Sequence, residues 1–327
     1  MKTVSELGER ALIERITARL SFPPWVIVGP GDDAAVLAPE RGSLEVLTTD
    51  AQVEAVHFDR RFVPPDAIGH RALAVNLSDL AAMGARPRAA LLSLVLPDAM
   101  EADAIDGMLD GLLALAAAHR VSLVGGNISR SPGPLVIDVT AIGAVGPRRV
   151  LTRAGARPGD DVYVTGTIGD GLAGLKSLQS KVGVRRAEAR YLRPEPRVRA
   201  GMLLGRNRAA TACVDLSDGL ADGVRRLAEA SHVGILLDGE ALPIPEDVRE
   251  WHLAQGRDPV MAALAGGDDY ELLFTSPKRF AGRMRSARSS LGDLPITRIG
   301  VVTKGHRVSV SAGGRERDVP EGFQHFT

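Results

Sequence analysis

The sequence is short of cysteine, of excess charge and of long apolar runs. Cys213 is the only cysteine among 327 residues, so an internal disulfide and a cysteine-based metal cluster are both excluded. Forty basic residues balance forty acidic ones, which removes the broad positive field that nonspecific binding to nucleic acid or anionic membranes needs. We therefore expect no nucleic-acid partner, small molecules or protein as partners, and a reducing cytoplasm as the location.

No apolar stretch is long enough to cross a bilayer. The longest, such as Ala89 to Pro97 and Leu112 to Ala118, fall well short of the roughly 20 residues required. Residues Met1 to Arg15 alternate charged and apolar side chains as an amphipathic helix does, without the continuous apolar core of a signal peptide. The sequence therefore predicts a protein that is neither embedded in a membrane nor exported.

Length and composition predict two folded domains. The chain exceeds the usual size of one hydrophobic core, and two domains of about 150 residues each are the natural expectation. Apolar residues make up 45% and charged residues 24%, as in ordinary soluble proteins. Around Pro147 to Asp160 the composition shifts to Arg, Pro and Gly, so we expect domains at 1–147 and 148–327.

The apolar periodicity of the first half predicts elements in the order αββαβαββ, beginning with one helix over Glu6 to Leu20. A strand over Val121 to Val124 is expected to end at the turn Gly125-Gly126-Asn127. This order favours an α+β domain with a mixed sheet over a regular parallel sheet. The second half is expected to continue with further strands and helices, and its basic stretch Lys181 to Arg199 is expected to be exposed.

Five groups of carboxylates lie in turns or among small residues. They are Gly31-Asp32-Asp33, Thr48-Thr49-Asp50, Asn76 to Asp79, Asp215 to Gly219 and Gly266 to Asp269. Converging carboxylates repel one another unless a cation joins them, and magnesium is the cation that carboxylates, hydroxyls and phosphate oxygens share. The groups together predict a magnesium and ATP site, although any single Asp is equally a helix cap or turn former.

Glycines mark two further candidate phosphate sites. Gly125-Gly126-Asn127 could bring backbone amides to a phosphate, or could simply form a tight turn with positive φ. Gly169 to Gly174 matches G-x-G-x-x-G after a strand, with Glu188 about 20 residues further on, which is the spacing of a dinucleotide site. NAD binding is the less favoured interpretation because no clear run of βαβ units starts there.

Several other enzyme classes are excluded by missing motifs. The sequence has no phosphate-binding G-x-x-x-x-G-K-[ST] loop, no protein-kinase motifs, no hydrolase nucleophile elbow and no H-E-x-x-H. His57 lies just after the Asp50 group and could bind a substrate phosphate. The competing interpretation is a packed or merely exposed histidine.

Taken together, these groups resemble the thiamine-monophosphate kinase family, which belongs to the superfamily of aminoimidazole ribonucleotide synthetase and selenophosphate synthetase. The resemblance runs nearly end to end. It rests on Ser5 to Glu9, Gly31 to Ala34, Thr48 to Asp50, His57-Phe58, Ala74 to Ala85, Leu151 to Arg153, Asp215 to Gly219, Asp269 to Leu272 and His325-Phe326.

The resemblance implies an enzyme that uses ATP and several magnesium ions to convert thiamine monophosphate to thiamine diphosphate. It implies a homodimer in which the mixed sheet of the N-terminal α+β domain pairs with that of a second subunit into a barrel. That domain would bind ATP, and the α/β C-terminal domain would close the active site.

The resemblance also implies roles for particular residues. The metal ligands would be Asp33, Thr48, Thr49, Asp50, Asp79, Asn127, Asp215 and Asp218. ATP would be lined by Asp33, Gly126, Asn127, Arg153 and Ser217. Thiamine monophosphate would meet His57, Asp268 and Phe323, and the residues counted as catalytic would be Asp50, Asp79, Asp215 and Arg153.

Two positions depart from the family pattern. The usual Gly-Gly-Asp is Gly125-Gly126-Asn127 here, so a charged ligand is replaced by a neutral carbonyl that binds magnesium less tightly. The usual Gly-Gly-Glu is Gly266-Gly267-Asp268, which shortens the reach of the carboxylate by about 1.5 Å.

The expected chemistry needs no general base, because the acceptor phosphate has a second pKa of about 6 and is already largely ionised at neutral pH. Alternatives remain open. Another ATP-using member of the superfamily is one alternative, but a selenophosphate synthetase would need a reactive cysteine or selenocysteine near the N-terminus and the hydrogenase maturation protein a C-terminal cysteine, and Cys213 is at neither place. A catalytically inactive nucleotide-binding homologue is suggested only by Asn127.

Overall fold

The computed structural model describes residues 2–322, which fold as two compact units. The first unit takes in residues 2–80 and 86–147, and the second takes in residues 81–85 and 148–322. The division after Pro147 falls where the composition changes. The five residues 81–85 are the exception, because they leave the first unit and pack with the second.

The first unit contains four helices and six strands among the described residues. They are α1 (Val4–Leu7), α2 (Glu9–Thr17), β1 (Val26–Val28), β2 (Val36–Leu37), β3 (Leu44–Val53), α3 (Pro65–Ala82), β4 (Arg86–Pro97), α4 (Ala102–His119), β5 (Ser122–Ser131) and β6 (Val136–Val145). The predicted single helix over Glu6 to Leu20 is wrong, because Gly8 has φ of 80° and separates α1 from α2. A positive φ breaks a right-handed helix, and glycine adopts it at little cost.

The main sheet of the first unit is mixed, in the order β3-β6-β4-β5. Strands β4 and β5 run parallel, while β4 and β3 each pair antiparallel with β6. Helices α3 and α4 cover one face, and they cross so closely at Gly69 that a Cβ there would lie 1.7 Å from the carbonyl oxygen of Met108. The opposite face of the sheet is left open by these helices.

The glycines at 125 and 126 lie inside a strand and not in a turn. Strand β5 continues to Ser131, and Gly125 and Asn127 are paired with Leu91 and Ser93 of β4. Neither glycine is among the residues with positive φ in the described chain. A Cβ on Gly126 would lie 1.9 Å from the carbonyl oxygen of Leu92, so close strand contact is what requires glycine there.

The second unit is built on a seven-stranded mixed sheet in the order β13-β12-β9-β11-β7-β10-β8. Its strands are β7 (Asp161–Thr165), β8 (Ala212–Asp215), β9 (Gly234–Asp238), β10 (Leu272–Ser276), β11 (Ile296–Thr303), β12 (Val308–Ala312) and β13 (Arg315–Asp318). Its helices are α5 (Asp170–Ser180), α6 (Arg185–Leu192), α7 (Val198–Asn207), α8 (Leu220–Ser231), α9 (Glu246–Ala254), α10 (Pro259–Ala265) and α11 (Ala281–Ser289). Only β9 and β12 pair in parallel within the described sheet.

The sequence predicted that the basic stretch Lys181 to Arg199 is exposed, but several of its residues are buried. It forms α6 and begins α7, and Tyr191 is 1% exposed. Arg197 donates to both carboxylate oxygens of the fully buried Glu271, at 2.7 and 2.5 Å, and Arg190 donates to the same carboxylate at 2.9 Å. Two of the basic side chains therefore neutralise an internal carboxylate.

None of the helices in residues 2–322 combines the length and the apolar character needed to cross a membrane.

His252 on α9 is a buried histidine whose loss of contact with water is not offset by hydrogen bonds to its ring within the described part of the chain. It is fully buried, and among the described residues neither ring nitrogen has a hydrogen-bond partner. Burial and the nearby Arg257 lower its pKa. In acid the unfolded chain therefore takes up a proton on His252 before the folded chain does, and the free energy of unfolding falls as the pH drops through about 6.5.

We predict that His252→Leu reduces the acid sensitivity of the fold. Between pH 8 and pH 5 the melting temperature of the wild type should fall by about 3 °C more than that of the variant, because the variant has no ring to protonate. Thermal unfolding followed by circular dichroism measures this difference. The exposed His306 provides the control, and His306→Leu should retain the wild-type pH dependence.

Candidate active site

The first unit contains a cavity of about 780 Å³ beside the glycine-containing strand β5. It is bounded by α2, by the loop over residues 29–35 and by strands β4, β5 and β6. One part of its lining is apolar, including Ile13, Ile16 and Leu20, and another part carries Asp33 and Asn127. The cavity can therefore accept a molecule with one apolar end and one polar, cation-binding end.

Ion pairs hold α2 in place as a wall of this cavity. Arg15 donates from Nε to Asp106 on α4 at 2.8 Å and from its NH2 group to Asp103 at 3.1 Å. Arg19, one turn further along, pairs with Asp110 of α4. Because Arg15 lies in the last turn of α2 and Arg19 just after its end, the two pairs hold this end of α2 against α4.

The open face of the sheet carries a carboxylate that sequence reasoning missed. Cross-strand pairing places four residues in one row across the four strands: Ala51, Asp138, Ser93 and Asn127. Thr49 Oγ1 donates to Asp138 Oδ1 at 3.0 Å and lies 3.0 Å from Thr140 Oγ1. The signal that could have found Asp138 is the alternation of β6, which puts Asp138 and Thr140 on one face.

Three of the expected magnesium ligands lie on the opposite face of the sheet. The hydroxyl of Thr48 donates to the carboxylate of Asp79 on α3, so Thr48 points toward the helices. Asp50 is two residues further along β3 and therefore shares this face, while Thr49 points to the other. Asp79 lies within α3, on which the sequence had placed it. The structure thus brings Thr48, Asp50 and Asp79 to one side.

Asp50 and Asn127 lie not only on opposite faces of the sheet but also on its two opposite edge strands. Strand β3 is one edge and β5 the other, and three strand spacings amount to about 14 Å. Asp50 and Asn127 of one chain therefore cannot share an ion in this arrangement. In residues 2–322 no three His, Cys, Asp or Glu side chains form a group ready to hold a metal, although the carboxylate, hydroxyl and amide oxygens present are the donors that magnesium prefers.

His57 lies in the turn that follows β3. Its Nδ1 accepts a hydrogen bond from the backbone N–H of Val53 at 3.0 Å, and its own backbone N–H donates to the Val53 carbonyl at 2.9 Å. In the neutral ring this arrangement places the proton on Nε2. The turn thus fixes both the orientation and the tautomer of His57.

In the second unit, two loops with predicted site residues meet. The backbone N–H of Asp268 donates to the carbonyl of Ser217 at 2.8 Å, and Asp215 at the end of β8 is paired with Leu272 of β10. Asp218, which follows Ser217, forms an ion pair with Arg226 at 2.8 Å. The structure therefore brings Asp215, Ser217, Asp218 and Asp268 together.

The remaining predicted residues lie at the margins of this loop pair. Arg153 is exposed, and the carbonyl of the preceding Thr152 accepts from the backbone N–H of Cys213 on β8 at 2.8 Å. Gly322 passes so close to the loop that a Cβ there would lie 2.9 Å from the carbonyl oxygen of Asp218. Phe323, predicted to stack on a ring, lies outside the described residues.

The G-x-G-x-x-G turn binds a carboxylate of the protein itself. The backbone N–H groups of Gly169 and Gly171 donate to Asp269 at 2.8 and 3.0 Å. Asp269 is 4% exposed, and burial raises its pKa to about 8 although both N–H groups favour the charged form. Because this carboxylate occupies the donors that a dinucleotide phosphate would use, the interpretation as an NAD site is not supported.

Two family models match the chain and cover most of it. The model described as AIR synthase related protein, N-terminal domain, matches residues 31–145, and the corresponding C-terminal domain matches residues 157–313. Thiamine-monophosphate kinase of Bacillus subtilis (strain 168) is 35% identical over 337 residues, which cover 98% of this chain and 100% of that protein.

Solved structures show the same two-domain fold with mixed sheets. The crystal structure of thiamine-monophosphate kinase from Stenotrophomonas maltophilia K279a superposes with a TM-score of 0.83 at 41% identity, covering 94% of this chain and 98% of that one. A structure of AaThiL complexed with AMPPCP and TMP superposes with a TM-score of 0.78 at 34% identity, covering 100% of this chain and 99% of that one.

We predict that Gly126→Ala destabilises the first unit much more than Gly125→Ala. The added methyl group at 126 would collide with the backbone of β4, whereas at 125 it would meet only the side chain of Leu91, at 3.1 Å. The free energy of unfolding should fall by about 2 to 3 kcal/mol for Gly126→Ala and by less than about 1 kcal/mol for Gly125→Ala. Urea titrations measure both values, and equal losses would contradict the prediction.

Proposed function

We propose, since the chain belongs to the AIR synthase related family and within it to the thiamine-monophosphate kinases, that it uses ATP to phosphorylate thiamine monophosphate to thiamine diphosphate. The observation that carries this function is the likeness to the structure with AMPPCP, an ATP analogue, and TMP, because that likeness spans the whole chain at 34% identity. The enzyme is a phosphotransferase of thiamine biosynthesis.

The cavity of the first unit is the proposed nucleotide site. Its apolar wall on α2 suits a base, and its polar part with Asp33, Asn127 and Asp138 suits phosphates and their cation. Gly126 allows β4 and β5 to lie close together, and the backbone of β5 lines the cavity. We propose Arg153 and Ser217 of the second unit as further ATP contacts.

The residues of the chain fit a reaction that depends on charge screening and alignment. The acceptor is already an anion at neutral pH, so no side chain needs to remove a proton. Bound magnesium would screen the two phosphates and align them for direct in-line transfer. The proposed ligands are Thr48, Asp50 and Asp79 on the helix side of the sheet, Thr49, Asp33 and Asn127 on the cavity side, and Asp215 and Asp218 in the second unit.

His57 and Asp268 are the proposed contacts to thiamine monophosphate. With Nδ1 accepting from Val53, the neutral ring of His57 presents Nε2–H as a donor for the substrate phosphate. Asp268 offers a negative charge to the cationic thiazolium ring. Phe323 stays a predicted stacking residue.

We propose that the enzyme is a homodimer paired through the open sheet face of the first unit. Leu47 is 64% exposed and Leu91 is 36% exposed on this face, which is unusual for leucines in a sheet strand. Asp50 and Asn127 lie at opposite edges of the sheet in one chain. A second copy offers a way to bring both kinds of ligand to one nucleotide.

The alternatives receive less support. Cys213 is buried in β8, and burial raises the pKa of its thiol, so it is not the reactive cysteine that a selenophosphate synthetase or the hydrogenase maturation protein would need. An inactive nucleotide-binding homologue is suggested only by Asn127. We propose the cytoplasm as the location, since the reaction consumes ATP.

We predict that purified protein forms thiamine diphosphate from ATP and thiamine monophosphate, and that Asp50→Asn lowers the rate roughly 100-fold, because a charged ligand is lost where charge must be screened. Chromatography of the products over a range of magnesium concentrations measures this. The exposed Asp293 provides a matched control, and Asp293→Asn should retain the wild-type rate. Wild type that binds ATP but forms no product at any magnesium concentration would contradict the kinase and favour the inactive homologue.

We predict that Leu47→Asp weakens the dimer, because it places a charge on an apolar face that would be buried by the partner. Light scattering after size exclusion should give twice the chain mass of 34.5 kDa for the wild type and a lower mass for the variant. Leu253→Asp changes an equally exposed leucine, 59% exposed on α9, and should leave the mass unchanged. A monomeric wild type would contradict the proposed pairing.

A further inference from the structure

The G-x-G-x-x-G turn has no ligand role in the function proposed above, yet its donors are fully used. Gly169 N–H donates to Asp269 Oδ2 and Gly171 N–H donates to Asp269 Oδ1. The acceptor is a carboxylate that lies between Asp268, a proposed substrate contact, and Tyr270. The turn at the start of α5 is therefore bonded to the loop that carries Asp268.

The loop on either side of Asp269 has an unfavourable backbone conformation. Asp268 has φ of 67° and Tyr270 has φ of 51°, a left-handed region that residues with a Cβ occupy only at a cost. Two left-handed residues separated by one residue need tertiary contacts to persist. Asp269 supplies two such contacts through one buried side chain.

Neighbouring contacts leave the loop little freedom. The backbone N–H groups of Asp268 and Tyr270 donate to the carbonyls of Ser217 and Leu216, at 2.8 and 2.9 Å. Tyr270 also donates its hydroxyl proton to Asp268 Oδ1 at 2.8 Å. The position of the Asp268 carboxylate is therefore tied to the position of the Ser217 loop.

Gly171 shows how tightly the turn and the loop fit. A Cβ on Gly171 would lie 2.2 Å from the carbonyl oxygen of Gly267 and 2.8 Å from the Cβ of Asp268. Any side chain at 171 would push directly on the backbone that carries Asp268. The turn thus contacts the loop in two ways, through hydrogen bonds to Asp269 and through close packing at Gly171.

We infer that Asp269 is a positioning residue: by accepting from Gly169 and Gly171 it holds Asp268 against the Ser217 loop in the orientation that meets thiamine monophosphate. This inference rests on the proposed function. Asp269 itself is buried and does not touch the substrate. Its loss releases the strain at Asp268 and Tyr270 and lets the Asp268 carboxylate move, which weakens binding of thiamine monophosphate more than binding of ATP.

The test compares Asp269→Asn and Asp269→Ala with the wild type in steady-state kinetics. Asn keeps one acceptor oxygen and Ala keeps none, so KM for thiamine monophosphate should rise about tenfold for Asn and further for Ala, since one buried hydrogen bond is worth about that factor. KM for ATP should stay within about twofold. Gly171→Ala, which retains the carboxylate but displaces the loop, should give the same selective rise.

The control is Asp160→Asn. Asp160 is 3% exposed in the same unit, and its carboxylate accepts from Thr211 Oγ1 at 2.8 Å and from the Arg157 N–H at 3.1 Å. It precedes β7, whereas Gly169 and Gly171 follow that strand. This variant should lose thermal stability with both KM values unchanged. If Asp269→Asn and Gly171→Ala behave like it, Asp269 is merely structural and the inference is overturned.

Amide hydrogen exchange separates this inference from the proposed function. In Asp269→Asn we expect faster exchange than in the wild type at four amides, those of Gly169, Gly171, Asp268 and Tyr270. In Asp160→Asn the same four amides should exchange at the wild-type rate. If the wild type forms no thiamine diphosphate, the proposed function fails and the assignment of Asp269 to substrate positioning fails with it, whatever the exchange shows. If the wild type is active and these amides stay protected in Asp269→Asn, only the positioning inference fails.

Discussion

The alternation of side chains along β3 is the constraint on which the arrangement of the candidate site depends. Successive residues of a strand point to opposite faces, so Thr48 and Asp50 face α3 while Thr49 faces the open side of the sheet. Three adjacent residues therefore belong to two environments. One is bounded by Asp79 on a helix, and the other by Asp138 on the neighbouring strand.

Close backbone contact is the second recurring feature of the molecule. Gly126 lets β4 and β5 approach each other under the cavity, and Gly69 lets α3 and α4 cross beneath the sheet. In the second unit Gly171 lets the start of α5 meet the Asp268 loop. In each place the absence of a Cβ is used for packing in the fold, and in the second unit the nearby N–H groups bind a carboxylate of the chain and not a nucleotide phosphate.

Much of the fold could be predicted from local pattern. The helix over Ala102 to His119 and the mixed character of the first sheet follow from apolar periodicity and element order, and the structure has both. The break at Gly8, the strand that runs through Gly125 and Gly126, and the pairing of Arg197 with an internal carboxylate were not predicted. The last two depend on partners distant in sequence, β4 for Gly126 and Glu271 for Arg197, and periodicity within one segment carries no information about such partners.

The sequence by itself determined the kinase family, through runs such as Asn76 to Ala85, and it determined which residue types were available to bind phosphate and magnesium. Only the tertiary structure decided that Asp50 and Asn127 lie at opposite edges of one sheet, that Asp138 lies in the same row as Asn127, and that Asp269 occupies the glycine turn. The physical reason is that a motif specifies only which residue types follow one another within one segment. Strand register, sheet face and burial are set by pairing between segments that are far apart in sequence.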